Sequence, residues 1–294
     1  MSAVLDTSER YLAPTRLLQA LAALAMPGGA TVLAGGTDLM PQRRAGRLPA
    51  GHTLLNIRRV PGLDGITLEG ALRLGALTTI TTLRTHPLVL AHAPLLAEAA
   101  DHFASEQVRN AATLGGNICN ASPAGDMLPP LLALDAEIEL AALDRAGCVA
   151  TRRVALDGFF TGPGRTARGA TELLTAVHLI LPPPGTRMRF YKTGTRPALD
   201  ISTIAIACAA RIDVAGRLRG VRLALGAVAP TPLRARHAEA LLEGAVLDAG
   251  LAERAAACAA EEATPIDDVR ASAWYRRELV HNMTRRVLTD VAHA

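Results

Sequence analysis

Two short segments combine glycines with hydroxyl and amide side chains in an order suited to holding an anionic ligand. The first is Val32-Leu33-Ala34-Gly35-Gly36-Thr37-Asp38-Leu39, where an apolar run stops at two glycines. Glycine permits positive φ and close backbone approach, and successive N–H groups in such a turn form an anion nest. The second, Thr113-Leu114-Gly115-Gly116-Asn117, repeats hydroxyl, two glycines, amide. Two nests suit a diphosphate, which has two negative groups to satisfy; either segment alone also reads as an ordinary structural turn. Neither is G-x-G-x-x-G or G-x-x-x-x-G-K-[ST], which argues against a Rossmann dinucleotide fold or a P-loop. Downstream, Ser122-Pro123-Ala124-Gly125-Asp126 sets a carboxylate at an expected helix start, where it caps the helix, accepts from a ligand, or does both. Lys192 is the single lysine among 31 basic residues. An arginine-rich chain keeps it by chance, or where a compact ammonium does what a guanidinium fork cannot.

These segments need scaffolding, and the hydrophobic pattern supplies it. A helix is predicted over Arg16–Ala25, with Leu17, Leu18, Leu21 and Leu24 on one stripe, then a buried strand over Thr31–Ala34 that runs straight into Gly35. Leu54–Ile57 is another short strand, and residues 66–68 and 72–74 alternate around Gly70 as a hairpin. Thr79–Leu83 and Leu90–His102 read as helices, Gly115-Gly116 as a second glycine turn, and Asp126–Leu134 as a helix with two prolines in its first turn. Strands follow at Ile138–Leu143 and Leu173–Leu181, the latter stopped by Pro182-Pro183-Pro184-Gly185, the best boundary in the chain. Beyond it lie strands at Arg189–Lys192, Ile204–Ile212 and Leu218–Ala227. Three helices, near Leu233–Glu243, Leu251–Glu262 and Trp274–Asp290, complete the chain.

Composition narrows the function. Half of the 294 residues are hydrophobic and a fifth charged, which supports a packed core rather than disorder. The net charge of +4 is scattered, and aromatics make up 3%, so the stacking platforms of a nucleic-acid binder are missing. Cys119, Cys148, Cys208 and Cys258 form no C-x-x-C pair and read as separate thiols in a reducing compartment, with no metal site in this chain. The longest uncharged stretch, Leu17–Thr37, is broken by Pro27-Gly28-Gly29, so no transmembrane helix is expected. Asp6 and Glu9 before Leu17–Met26 argue against a signal peptide, and a cytoplasmic location is expected.

Taken in order, Ala34–Leu39, Ala112–Ile118, Ser122–Asp126, Phe190-Tyr191-Lys192, Leu225–Pro232 and Ala273–Arg277 resemble the FAD-binding medium subunit of molybdenum hydroxylases. That family includes the flavin subunit of carbon monoxide dehydrogenase and the flavin domain of xanthine dehydrogenase. The resemblance covers nearly the whole chain and implies an α+β fold. A two-part FAD-binding domain of the PCMH type would occupy residues 1–183, split near 56, followed by a C-terminal domain of antiparallel sheet plus helices over 184–294.

Carried onto this sequence, the resemblance puts the first pyrophosphate loop on Val32, Leu33, Ala34, Gly35, Gly36, Thr37, Asp38 and Leu39. It puts the second on Thr113, Gly115, Gly116 and Asn117, with Cys119 just after, and sets Phe103 near the flavin. Asp126 matches the carboxylate on the nucleotide, Leu174 an apolar strand contact, and Lys192, beside Tyr191, the flavin-side lysine. No catalytic side chain is implied. The expected role is an oxidoreductase subunit with non-covalent FAD, partnered by a molybdenum-cofactor large subunit and a 2Fe-2S small subunit. These would form a heterotrimer, paired into a dimer of trimers. Electrons would enter from the partner's clusters and leave to an external acceptor. The alternatives are a self-contained PCMH-type flavin oxidase or reductase with its own substrate pocket, and a nucleotide-binding module without catalysis.

Overall fold

Short apolar runs between glycine and proline stops build the first unit, which comprises β1 (Tyr11–Leu12), α1 (Leu17–Leu24), β2 (Thr31–Leu33), α2 (Leu39–Arg44) and β3 (Leu54–Asn56). The computed structural model describes residues 10–47, 53–196 and 198–293. The three strands are parallel in the order β1-β3-β2, so the C-terminal ends of β2 and β3 open on the same side. Leu21 and Leu24 of α1 are buried against Leu55, while Leu18, expected on the same stripe, is 43% exposed.

The second unit holds β4 (Ile66–Glu69), β5 (Ala71–Gly75), then six short helices and a return to strand. The helices are α3 (Ile80–Thr85), α4 (Pro87–His92), α5 (Pro94–Asp101), α6 (Glu106–Ala111), α7 (Leu114–Asn120) and α8 (Leu128–Ala133). After them come β6 (Glu137–Leu143), β7 (Val149–Ala155), a small ribbon of β8 (Phe160–Gly162) and β9 (Arg165–Thr166), and β10 (Leu173–Ile180). Five strands form an antiparallel sheet, β4-β5-β10-β6-β7. Its apolar face, carrying Leu72, Leu74, Ile138, Leu140, Val177 and Leu179, meets the helices in one core.

The expected helix over Leu90–His102 is broken at Ala93 into α4 and α5. Pro94 has no N–H to donate and disfavours helical backbone in the residue before it, and Ala93 leaves the helical region at φ −141° and ψ 52°. Gly115-Gly116, read as a turn, is the first turn of α7, which Thr113 caps through its hydroxyl. The helix expected from Asp126 begins at Leu128 and has no side-chain cap at all.

The remaining chain forms β11 (Thr186–Thr193), β12 (Ile204–Ile212), β13 (Leu218–Gly226), β14 (Leu233–Arg234), α9 (Arg236–Leu242), α10 (Ala249–Glu262) and α11 (Ala273–His293). Its four strands pair antiparallel in order, so the α+β class and the C-terminal antiparallel sheet with helices are as the sequence implies. Strand β12 sorts its residues strictly by face. Ile204, Ile206 and Cys208 pack against α9–α11, whereas Ala205, Ala207 and Ala209 join the core of the preceding unit. Small residues on that face let α8 and its prolines lie close; a Cβ on Gly226 would come within 2.8 Å of Pro129 Cγ. Met188 and Phe190 of β11 are buried in the same core.

Arg234, 5% exposed, ties the two halves further. It donates to Glu239, to Asp135 at 2.6 Å and to the carbonyl of Leu132 at 3.3 Å, satisfying an end of α8. One hydrophobic core therefore runs across residue 184. A chain ending at residue 183 would expose that core and α8, and is expected to lose cooperative thermal unfolding by circular dichroism. A sharp transition in that fragment would contradict the shared core.

Candidate cofactor-binding site

Backbone packing brings the two glycine segments together. Gly35, just past β2, lies against Ala111 and Ala112, so near that a Cβ would sit 2.0 Å from the Ala111 carbonyl oxygen. Gly36 adopts φ +74°, the left-handed region that favours glycine, and turns the chain into α2. On the other side Gly115 presses on Ala76 and donates to its carbonyl at 2.8 Å. The result is a cleft of about 840 Å³ between the parallel sheet, α6–α7 and the end of β10.

The two segments differ in what they offer a ligand. In the second, Leu114 N donates to Thr78 O, Gly115 N to Ala76 O, Gly116 N to the Thr113 hydroxyl and Asn117 N to Thr113 O. Its backbone donors are spent on the fold. In the first, the N–H groups of Gly35, Gly36, Thr37, Asp38 and Leu39 meet no acceptor among the described residues. That run leaves five backbone donors for a ligand; the second segment contributes side chains instead. Chief among them is Asn117, whose Oδ1 is buried with no hydrogen-bond partner among the described residues.

Of the residues expected at the site, Val32, Ala34, Gly35, Gly36, Thr37, Asp38 and Leu39 line the cleft from one side. Phe103, Thr113, Gly115, Gly116, Asn117, Cys119, Asp126 and Leu174 line it from the other. Leu33 does not: alternation on β2 turns it behind the loop, its Cδ1 3.0 Å from where a Cβ on Gly36 would be. Tyr191 does not either, because it occupies the opposite face of β11 from Lys192. Its hydroxyl donates to Asp290, and the Arg286 guanidinium lies 4.7 Å over its ring. Burial pushes the Cys119 thiol up from its ordinary pKa, against the pull of Arg168.

Asp126 is the hinge between the cleft and the C-terminal sheet. Its Oδ2 accepts from Lys192 Nζ at 2.7 Å and its Oδ1 from Ser202 Oγ at 2.5 Å, and both ion-pair side chains are under 10% exposed. Lys192 also donates to the His102 carbonyl at 3.0 Å, which leaves one of its three N–H groups uncommitted. Lys192 thus stands behind Asp126 rather than among the residues that line the cleft. Burial pushes the Asp126 carboxyl up from its ordinary range, and the ammonium and the Ser202 hydroxyl oppose that shift. Sequence reading missed Arg168, Glu172, Asp200 and Ile201, which also line the cleft. Asp200 and Ile201 follow Lys192 by fewer than ten residues, the one cue that could have marked them.

Unspent backbone donors, an orphaned amide and an apolar strand wall around one cleft are the features of a ligand-binding site. Residues 6–183 match the family model described as the FAD binding domain in molybdopterin dehydrogenase, and residues 189–291 match the CO dehydrogenase flavoprotein C-terminal domain. The xanthine dehydrogenase FAD-binding subunit of Escherichia coli O157:H7 is 35% identical over 290 residues, covering 97% of this chain and 96% of that one. The carbon monoxide dehydrogenase medium chain of Hydrogenophaga pseudoflava is 33% identical over 95% of each chain. A solved carbon monoxide dehydrogenase from that organism superposes with a TM-score of 0.90, covering 96% of both chains at 33% identity. The chain belongs to the family of flavin-binding medium subunits of molybdenum-containing dehydrogenases. No helix among the described residues is long and apolar enough to cross a membrane.

Two outcomes follow from the geometry. Gly35→Ala forces its loop away from Ala111 and is expected to cost at least about 1–3 kcal/mol, read by urea unfolding. An unchanged midpoint would show that the loops do not bear on each other. Lys192→Met strands a buried carboxylate and is expected to cost about 3–5 kcal/mol near neutral pH. Without the ammonium the Asp126 pKa rises further above its unfolded value, so protonation relieves the loss in acid and the deficit grows as pH rises. Unfolding curves at about pH 5 and about pH 8 should show the wider gap at the higher pH; equal gaps would contradict the pairing.

Proposed function

We propose that the cleft holds one FAD without a covalent bond, and that the chain is the electron-transfer subunit of a molybdenum-containing hydroxylase or dehydrogenase complex. The observation that carries this reading is the run from Gly35 to Leu39, which lines a cleft of about 840 Å³ and whose five N–H groups meet no acceptor among the described residues. That size lies within the range of small-molecule and cofactor sites, roughly 300–1,000 Å³. The Gly35–Leu39 run takes the diphosphate, where N–H dipoles favour negative charge without a competing cation. Asn117 Oδ1 accepts from the ligand the hydrogen bond that no described residue provides. Leu174 gives an apolar wall, Phe103 packs at the ring end, and Asp126 accepts from the ligand with the lone pairs that Lys192 and Ser202 leave open.

Bound there, FAD supplies the ability to take up and release electrons singly or in pairs. The protein's own contribution is to hold it and fix its orientation, with the Lys192 ammonium neutralising and holding Asp126 from behind the cleft. In this reading the partners are a large subunit with the molybdenum cofactor and a small subunit with 2Fe-2S clusters. Electrons come from those clusters and go on to an external acceptor, in the cytoplasm. Medium chains of carbon monoxide dehydrogenase and of glyceraldehyde dehydrogenase from Sulfolobus acidocaldarius, the latter 32% identical, support it.

The purified chain, reconstituted with FAD and desalted, is expected to keep one flavin per chain and to release it entirely on acid precipitation. A chain that stays colourless contradicts the reading; flavin that precipitates with the protein contradicts non-covalent binding. Turnover of an organic substrate by the isolated chain would instead favour a self-contained flavin oxidase.

A further inference from the structure

Residues 200–202 pass from the cleft into the interior: Asp200 and Ile201 line the cleft, and Ser202 is 1% exposed. Asp200 fixes the approach by accepting from the backbone N–H of Thr195 and of Ile201 and from the Thr195 hydroxyl. On the far side Thr203 N donates to Thr193 O at 2.7 Å, so Ser202 is held between two pinned neighbours. Its hydroxyl donates to Asp126 Oδ1, 76 residues earlier in the chain. Lys192 holds only the other oxygen, Oδ2. A carboxylate held by one oxygen is free to turn about its terminal bond, whose torsional wells are broad and twofold. Held by both, it keeps one plane.

We propose that Ser202 is a positioning residue for the cofactor site: its hydroxyl locks the plane of the Asp126 carboxylate so that its free lone pairs stay aimed into the cleft. This rests on the functional reading above, in which Asp126 accepts from FAD. The charge in this corner belongs to Lys192 and Asp126, with the backbone of His102 as the third partner. Ser202 adds no charge, only direction. It also makes residues 200–202, ahead of β12, part of the cofactor site, although residues 6–183 carry the match to the FAD-binding family model.

The test is FAD affinity by isothermal titration on the full chain, for wild type, Ser202→Ala and Ser202→Thr, with the visible circular dichroism of the bound flavin. Loss of one hydrogen bond to a charged group should weaken FAD binding by about tenfold in Ser202→Ala and alter the dichroism band. The threonine hydroxyl should restore affinity to within about threefold and the band to its wild-type form. The assignment is overturned if Ser202→Ala binds within about threefold of wild type with an unchanged band, or if Ser202→Thr is as weak as Ser202→Ala, which would make the effect one of packing. A wild-type chain that binds no FAD fails the functional reading itself and takes this assignment with it. The two failures are therefore distinct.

Discussion

A carbonyl oxygen 2.0 Å from where the Gly35 Cβ would lie leaves no room for any side chain at that position. This close approach lets the parallel unit come up against α6 and α7, with the cleft between them, while Leu77, Ala141 and Leu173 pack into its core. It also settles how the hydrogen bonds are divided. The α7 segment spends its N–H groups on Ala76, Thr78 and Thr113, which makes it rigid. The loop after β2 spends none from Gly35 to Leu39 on any described residue, which leaves them to solvent or ligand. An unpaired N–H in a half-buried site carries a desolvation cost. Five in succession mean that part of the stability of this region comes from whatever fills the cleft.

The same cleft is wired to the C-terminal sheet. Lys192 and Ser202, from opposite ends of the β11–β12 connection, take the two oxygens of Asp126. Edge strand β11 is protected on its open side as well, where Glu98 of α5 accepts from Phe190 N at 2.9 Å. Burial raises the Glu98 carboxyl above its ordinary value, against the pull of that N–H and of Arg189. Together with the Arg234 cluster and the core around Phe190, these contacts make the C-terminal sheet a wall of the site rather than an appendage.

Much of this was legible from sequence, for identifiable reasons. Gly35-Gly36 after an apolar run and the order Thr113 to Asn117 survive as signals because backbone close approach tolerates only glycine. What stayed hidden depends on distant partners or on facing. Glycine's poor helix propensity disguised the first turn of α7, which tertiary bonds to Ala76 and Thr78 and the Thr113 cap stabilise. Tyr191 and Lys192 are neighbours on a strand, so only one can face the cleft side, and a parity of two cannot be read without knowing which face is inward. Strand β7 is exposed along most of its length and shows no apolar alternation to read. Ser202 is an unremarkable hydroxyl until the fold sets it beside Asp126.

Hydrogen–deuterium exchange of the purified chain, with and without FAD, separates the loop after β2 from α7 as the seat of the diphosphate. Amides from Gly35 to Leu39 are expected to exchange fast in the free chain and to become protected on adding FAD, whereas those of Leu114 to Asn117 are protected throughout. Protection of neither segment by bound FAD, or of the α7 segment alone, would contradict the assignment of the diphosphate to the loop after β2.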